Sequence, residues 1–249
     1  MRKRTDRFKI REEISSFCKR VSWSQTAVKL CETAKSAEEG FLHQVLKCEL
    51  ENREASRRAR LLKEAGFPVF KTLESYDFSE VKFPASLQKE DLLNGNLIHF
   101  KRNVVAYGHV GTGKTHLATA IGVKACELGY IVRYFTVAEI IVRLSDAFKS
   151  GNLDKVLKNI FRAELIILDE WGYIPVDKQG AQLLFRIIAD SYERRSIIIT
   201  TNLEFSKWGS VFTDDQMAAA MIDRIAHHGH LILFEGDSYR MKHALMKEN

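Results

Sequence analysis

No run of apolar residues in this chain approaches the roughly 18 to 20 needed to cross a bilayer, and the opening MRKRTDRFKIREE lacks the apolar core of a secretory signal. A cytoplasmic protein with no membrane partner is the expectation. Cysteine is scarce and scattered: Cys18, Cys31, Cys48 and Cys126 are too widely spaced for a paired C-x-x-C metal site, and a chain of 249 residues needs no disulfide scaffold. Reduced thiols are expected. There is no internal repeat and no low-complexity tract. Residues 67–249 also lack any net charge, with 22 basic and 22 acidic side chains. The whole excess of +6 therefore belongs to residues 1–66, which hold 16 Lys and Arg against 10 Asp and Glu.

A basic module joined to a neutral body suits a phosphate-backbone partner, because phosphate neutralisation supplies most nonspecific nucleic-acid affinity. A solvated helix face would carry the same charge. Ser36-Ala37-Glu38-Glu39 reads as a capping box, so a long helix is predicted to begin there. Phe41, Leu42, Val45, Leu46, Leu50, Leu61, Leu62 and Ala65 recur at helical spacing as its apolar side. Arg53, Arg57 and Arg60, joined by Arg58, form a basic stripe and are candidate phosphate-backbone ligands. The helix is predicted to stop at Gly66-Phe67-Pro68. A shorter helix is expected over 24–34. The expected division is a helical basic domain over 1–66, a connector over 67–84 and an α/β domain over 85–249.

From Asn103 the pattern changes to short apolar runs, NVVAY, IVRYF, LIILD, SIIITTN and HLILF, alternating with helices. Such runs belong to strands buried on both faces of a mainly parallel sheet, here an α/β body of five strands. The first run leads into Gly108-His109-Val110-Gly111-Thr112-Gly113-Lys114-Thr115, a complete G-x-x-x-x-G-K-[ST], followed by a helix from His116. In that pattern backbone N–H groups close around phosphate oxygens, Lys114 neutralises the β and γ phosphates and Thr115 reaches Mg²⁺. The third run ends in Asp169-Glu170. Asp169 can hold the same ion and Glu170 can polarise an attacking water. Asn202 closes the fourth run, at the carboxyl end of a strand where ligands sit in such sheets, although a lone Asn also serves as a turn residue. Arg224, on a helix capped by Thr213-Asp214-Asp215-Gln216, and Arg240 in GDSYRMK read from the residues alone as surface arginines.

These segments together resemble one family. GHVGTGKTHLATAIG, LIILDEWGYIP, GAQLLFRIIADSYERRSIIITTN, the DR of MIDRIAHH and the closing GDSYR are similar to the IstB-like transposition helper ATPases of insertion sequences, over about residues 36–245. That family is a branch of the AAA+ ATPases near the DnaC-like helicase loaders and the replication initiators. The resemblance implies a nucleotide site at Gly108, Val110, Gly111, Thr112, Gly113, Lys114, Thr115 and His116, with ATP and Mg²⁺ as cofactors. It implies Walker B acids at Asp169 and Glu170, a sensor at Asn202, an arginine finger acting in trans at Arg224 and a second sensor acting in cis at Arg240. It implies that residues 1–66 are a DNA-binding domain and residues 85–249 an AAA+ ATPase domain. It further implies an ATP-dependent helical homo-oligomer on duplex DNA that deforms the duplex and presents it to a partner transposase, hydrolysis driving disassembly. Trp171 departs from the family, which carries a smaller apolar residue there.

Two helices, over 137–149 and 153–161, are expected where a simple crossover needs one; in the initiator branch such an insertion accompanies an open spiral. Lys149, Lys155, Lys158 and Arg162 on or beside it would extend a DNA track or are merely solvated. His227-His228-x-His230 has the look of a metal site, yet closely spaced histidines at a helix end also cap carbonyls. The competing function is a DnaC-like helicase loader, whose front helices would grip a protein and need no excess positive charge.

Overall fold

The structure, a computed structural model, describes residues 2–74, 76–212 and 214–242, with side chains from residue 8 onward. It comprises two compact units, Met1–Arg60 and Leu61–Asn249.

The first unit contains α1 (Arg2–Arg20), α2 (Gln25–Glu32) and most of α3 (Ser36–Ala65). Ser24 caps α2 by accepting from the Ala27 N–H at 3.3 Å. Helix α3 starts where the sequence predicts, with Ser36 as its first helical residue. The Glu38 carboxylate accepts from the Lys35 N–H at 2.6 Å, and Glu39 is buried, accepting from Arg11 Nε at 2.5 Å. That charge-assisted bond to a guanidinium draws Glu39 toward α1. The apolar side of α3 is narrower than expected. Leu42, Leu46 and Leu50, one row at i, i+4 and i+8, pack with Ile14, Cys18 and Val21, while Phe41 and Val45 remain exposed.

In the second unit the elements are β1 (Val81–Lys82), α4 (Lys89–Leu93), α5 (Asn96–His99), β2 (Asn103–Gly108), α6 (Lys114–Glu127), β3 (Val132–Thr136) and α7 (Val137–Lys149). These are followed by α8 (Leu153–Ile160), β4 (Leu165–Trp171), α9 (Lys178–Ser191), β5 (Ser196–Thr201), α10 (Trp208–Phe212), α11 (Asp215–His227), β6 (Gly229–Phe234) and α12 (Tyr239–Lys242). Strand order is β1-β6-β2-β5-β4-β3, and every pairing is parallel except that of β1 with β6. The five predicted apolar runs are the five parallel strands; the two-residue β1 adds an antiparallel sixth, too short to leave a periodic signal. Alternate strand residues enter two cores. Val105, Ile166, Leu168, Ile197 and Ile199 meet α7, α9 and α11, whereas Val104, Ala106, Tyr134, Leu165, Ile167 and Ile198 meet α6 and the segment that begins with Leu61 and Ala65. Helices on both faces explain why the strands read as continuous apolar runs.

Asp214 caps α11 by accepting from the Met217 N–H at 2.9 Å; Thr213 of the predicted capping quartet lies outside the described residues. Among the described residues no helix is long and apolar enough to cross a membrane. Because β2 lies between β5 and β6 while its own crossover leads to the far edge, the order reverses at its carboxyl end, and a crevice opens there.

Candidate active site

A cavity of about 520 Å³ occupies that crevice. Val110 to His116 form one wall; Glu170, Tyr173 and Thr200 come from the ends of β4 and β5, and Arg240 from α12. Glycine is required in this loop for two reasons. Gly111 and Gly113 have φ of +83° and +95°, and a Cβ on Gly111 would run into the side chain of Ser238. The C-terminal segment is that close because the Tyr239 N–H donates to Gly111 O at 3.0 Å, which also brings Arg240 to the cavity. Gly113 is the N-cap of α6, so the cavity faces the positive end of that helix.

Lys114 is buried and donates from Nζ to Gly108 O at 2.7 Å and His109 O at 2.6 Å. Burial holds its pKa down to about 8; the carboxylate of Asp169 works against that shift and the charge of Arg240 adds to it. Asp169 is 2% exposed and accepts three hydroxyl bonds, from Thr115 Oγ1 at 3.0 Å, Tyr134 Oη at 2.5 Å and Thr200 Oγ1. Burial, reinforced by the Asp169 carboxylate, pushes the Tyr134 phenol upward, so it remains a donor. Two hard oxygens, Thr115 Oγ1 and Asp169 Oδ1, therefore stand side by side beside the phosphate loop, a donor set that fits Mg²⁺ held by one or two protein oxygens and the phosphates.

Glu170 sits at a fault in the sheet. Leu168 pairs with Ile199 and Trp171 with Thr201, so Asp169 and Glu170 together oppose Thr200, a two-against-one β-bulge. Glu170 has φ of +62°, a left-handed conformation that costs a non-glycine residue roughly 1–2 kcal/mol. In a regular strand Glu170 would point into the core beneath α9. The bulge gives that place to Trp171, wholly buried against Trp208 and Phe212 at ring distances of 4.9 and 5.1 Å, and leaves Glu170 exposed at the cavity.

Of the other predicted site residues, Asn202 is exposed, follows β5 and does not line the cavity. Arg224 is also outside the lining: it lies on α11, its Nη1 donates to Ala220 O at 2.8 Å and its guanidinium lies 5.3 Å from the Phe185 ring. The opposite wall was missed by sequence reasoning. Pro68, Val69, Lys71, Tyr76 and Asp77, in the segment expected only to connect domains, line the cavity. Tyr76 meets the His116 ring edge-on at 5.0 Å, and its own hydroxyl crowds Gly113. Burial lowers the His116 pKa, and its Nε2 is buried without a protein partner among the described residues. No periodic pattern marks this segment; only its aromatic content, Phe67, Phe70, Tyr76 and Phe78, sets it apart from a solvated linker.

Of the histidine run only His230 separates; His227 and His228 stay together with ring centroids 4.1 Å apart, and their ring nitrogens and a Glu193 carboxylate oxygen lie within 4.8 Å of one another, a group that could hold a metal ion. His230 is buried and shares a 2.9 Å hydrogen bond with Ser86, His227 meets the Tyr192 hydroxyl at 2.5 Å and His228 meets Glu193 at 3.2 Å. On α3 all four candidate arginines are exposed. Arg53 is already engaged, with Glu49 at 2.5 Å and Val21 O at 3.0 Å, and Arg58 lies 3.9 Å from Glu54.

The chain is similar to known proteins in sequence and in fold. The sequence profile of the family described as IstB-like ATP binding protein matches residues 20–247. The ATP-binding protein of insertion sequence IS5376 from Geobacillus stearothermophilus is 32% identical over 246 residues, spanning 96% of this chain and 98% of that one. That of IS21 from Pseudomonas aeruginosa is 36% identical, over 81% of this chain and 76% of its own. Among solved structures, AMPPCP-bound DnaA from Aquifex aeolicus is similar with a TM-score of 0.55 and 26% identity, covering 70% of this chain and 53% of its own. The DnaC helicase loader is similar in fold, with a TM-score of 0.52 and 21% identity over 66% of this chain and 96% of its own.

Proposed function

Because the chain belongs to the IstB-like ATP-binding proteins and is an AAA+ ATPase, we propose that it is the helper that assembles with ATP on duplex DNA and delivers that duplex to a transposase. The observation that carries the catalytic part is the grouping at one cavity of the 108–116 loop, Glu170 and Arg240, with Asp169 tied to Thr115 immediately behind. Lys114 exchanges two carbonyls of its own loop for phosphate oxygens. Thr115 and Asp169 would hold Mg²⁺, which would supply neutralisation of the nucleotide's phosphate charge. Glu170 orients and polarises the attacking water, and Arg240 meets the γ phosphate from within the chain. Arg224, outside its own chain's cavity, completes the site of a neighbouring copy, and Asn202 serves as the sensor beyond β5.

The DNA part rests on charge. The first unit carries the chain's whole excess, and Arg57, Arg58 and Arg60 are exposed within about one turn of α3. Arg53 is better read as a strut between α3 and the end of α1, given its bonds to Glu49 and Val21. Lys149, Lys155, Lys158 and Arg162 are exposed as well and offer further phosphate ligands on the second unit.

A gel-shift series with duplex and single-stranded DNA, in ATP, ADP and no nucleotide, tests the reading. Duplex should be shifted cooperatively and with ATP. Replacing Arg57, Arg58 and Arg60 by alanine should weaken binding equally on unrelated sequences and flatten the salt dependence by a slope of about 0.9 for each phosphate that is no longer neutralised. An unchanged slope would mean that these arginines dock on protein, as in a helicase loader, and would leave the ATPase assignment intact.

A further inference from the structure

We infer that Thr200 is the positioning residue for Glu170, the group that holds the catalytic carboxylate at the cavity, an inference that rests on the role proposed above for Glu170. Thr200 is 2% exposed and is the single residue of β5 that faces the two-residue bulge of β4. Its hydroxyl has one proton to give and gives it to Asp169 Oδ1. Its lone pair accepts from the Glu170 N–H at 3.1 Å. One oxygen thus bonds both bulged residues, the donor side fixing the carboxylate of Asp169 and the acceptor side taking the amide of Glu170.

The arrangement matters because that amide has no place in the regular ladder. Pairing stops at Leu168 with Ile199 and resumes at Trp171 with Thr201, so the intervening N–H needs a partner from a side chain. The φ of +62° at Glu170 is unfavourable for any residue with a Cβ and persists only where neighbours over-determine it. Two anchors do so here. Behind the bulge Thr201 Oγ1 donates to Trp171 O at 2.8 Å and Trp171 is locked among aromatic rings; within the bulge Thr200 is the hydroxyl between the two acids. Thr200 also ties the two acids to the phosphate loop, because Asp169 Oδ1 accepts from Thr115 of that loop as well as from Thr200.

The test is a set of full-length variants, Thr200→Val, Thr200→Ser and Glu170→Gln, assayed for kcat, for KM and for ATP affinity with a fluorescent nucleotide, with thermal melts as a check on folding. Thr200→Val keeps the shape and removes both bonds; it should retain ATP affinity within about twofold and lose kcat by at least about tenfold. Thr200→Ser restores the hydroxyl and should recover most of the lost kcat. Wild-type kcat in Thr200→Val, or a loss that serine does not rescue, overturns the positioning role. A loss of ATP affinity equal to the loss of kcat overturns it too, since Thr200 would then act in binding. Glu170→Gln keeps the two readings apart: if it hydrolyses ATP at the wild-type rate, the role of Glu170 itself fails whatever Thr200 does.

Discussion

The ammonium of Lys114 donates to two carbonyls of its own loop, and burial holds its pKa down to about 8. Phosphate oxygens favour the charged form, so binding should raise that pKa. At pH 8.5, above the depressed value, the lysine is mostly neutral before binding and takes up a proton on meeting ATP. At pH 7 it is already protonated and contributes almost no uptake. Calorimetry in buffers of different ionisation enthalpy should therefore give an uptake of about half a proton or more at pH 8.5 that shrinks toward zero at pH 7. Equal uptake at both values would show that Lys114 stays charged throughout. At this scale the motifs of the phosphate loop and the Asp-Glu pair were legible because their spacing is dictated by the ligand. The partners of those residues were not. Tyr134, 35 residues before Asp169 in the chain, donates to its carboxylate only because β3 and β4 are neighbours in the sheet.

Whole elements were legible where burial on two faces writes a continuous apolar run, which is why all five parallel strands stand where the sequence predicts. What periodicity does not encode is a defect in pairing. The bulge at Asp169 and Glu170 adds no unusual residue to LIILDEW, and its only sequence trace is Trp171, too large for the position it would hold in an unbroken strand. In the structure Trp171 is the plug that fixes the bulge, wholly buried with Trp208 and Phe212. Trp171→Ala should cost about 3–5 kcal/mol of stability, read as a lowered denaturation midpoint, and should depress hydrolysis more than ATP binding because Glu170 loses its register. Trp171→Phe should be far milder, since a ring remains and the buried indole N–H, which lacks a protein partner among the described residues, is removed. Equal losses in the two variants would refute the plug. The same limit of periodicity explains the connector: Pro68, Val69, Lys71, Tyr76 and Asp77 belong to no regular element, yet they line the cavity.

At the scale of the molecule, one chain does not assemble every proposed catalytic group. The cavity gathers Lys114, Thr115, Glu170 and Arg240, but Arg224 is held elsewhere, with its Nη1 on Ala220 O and its guanidinium over Phe185 on α9. An arginine that stabilises transition-state charge must reach the γ phosphate, so it either serves another copy or serves no site at all. These alternatives separate on mixing. Arg224→Ala should bind ATP normally and hydrolyse it at least about a hundredfold more slowly, whereas Lys114→Ala should fail to bind it. Each is inactive alone. In a mixture, a Lys114→Ala copy still presents Arg224, and an Arg224→Ala neighbour still presents an intact phosphate loop, so a fraction of the junctions contains one complete site. Phosphate release should reappear in the mixture, rise to a maximum near equal proportions and require concentrations at which the copies associate. If hydrolysis stays absent at every ratio although the mixed chains co-assemble, Arg224 does not act across a subunit boundary. The site would then have to be completed within one chain, with Arg240 as the arginine that the cavity already holds.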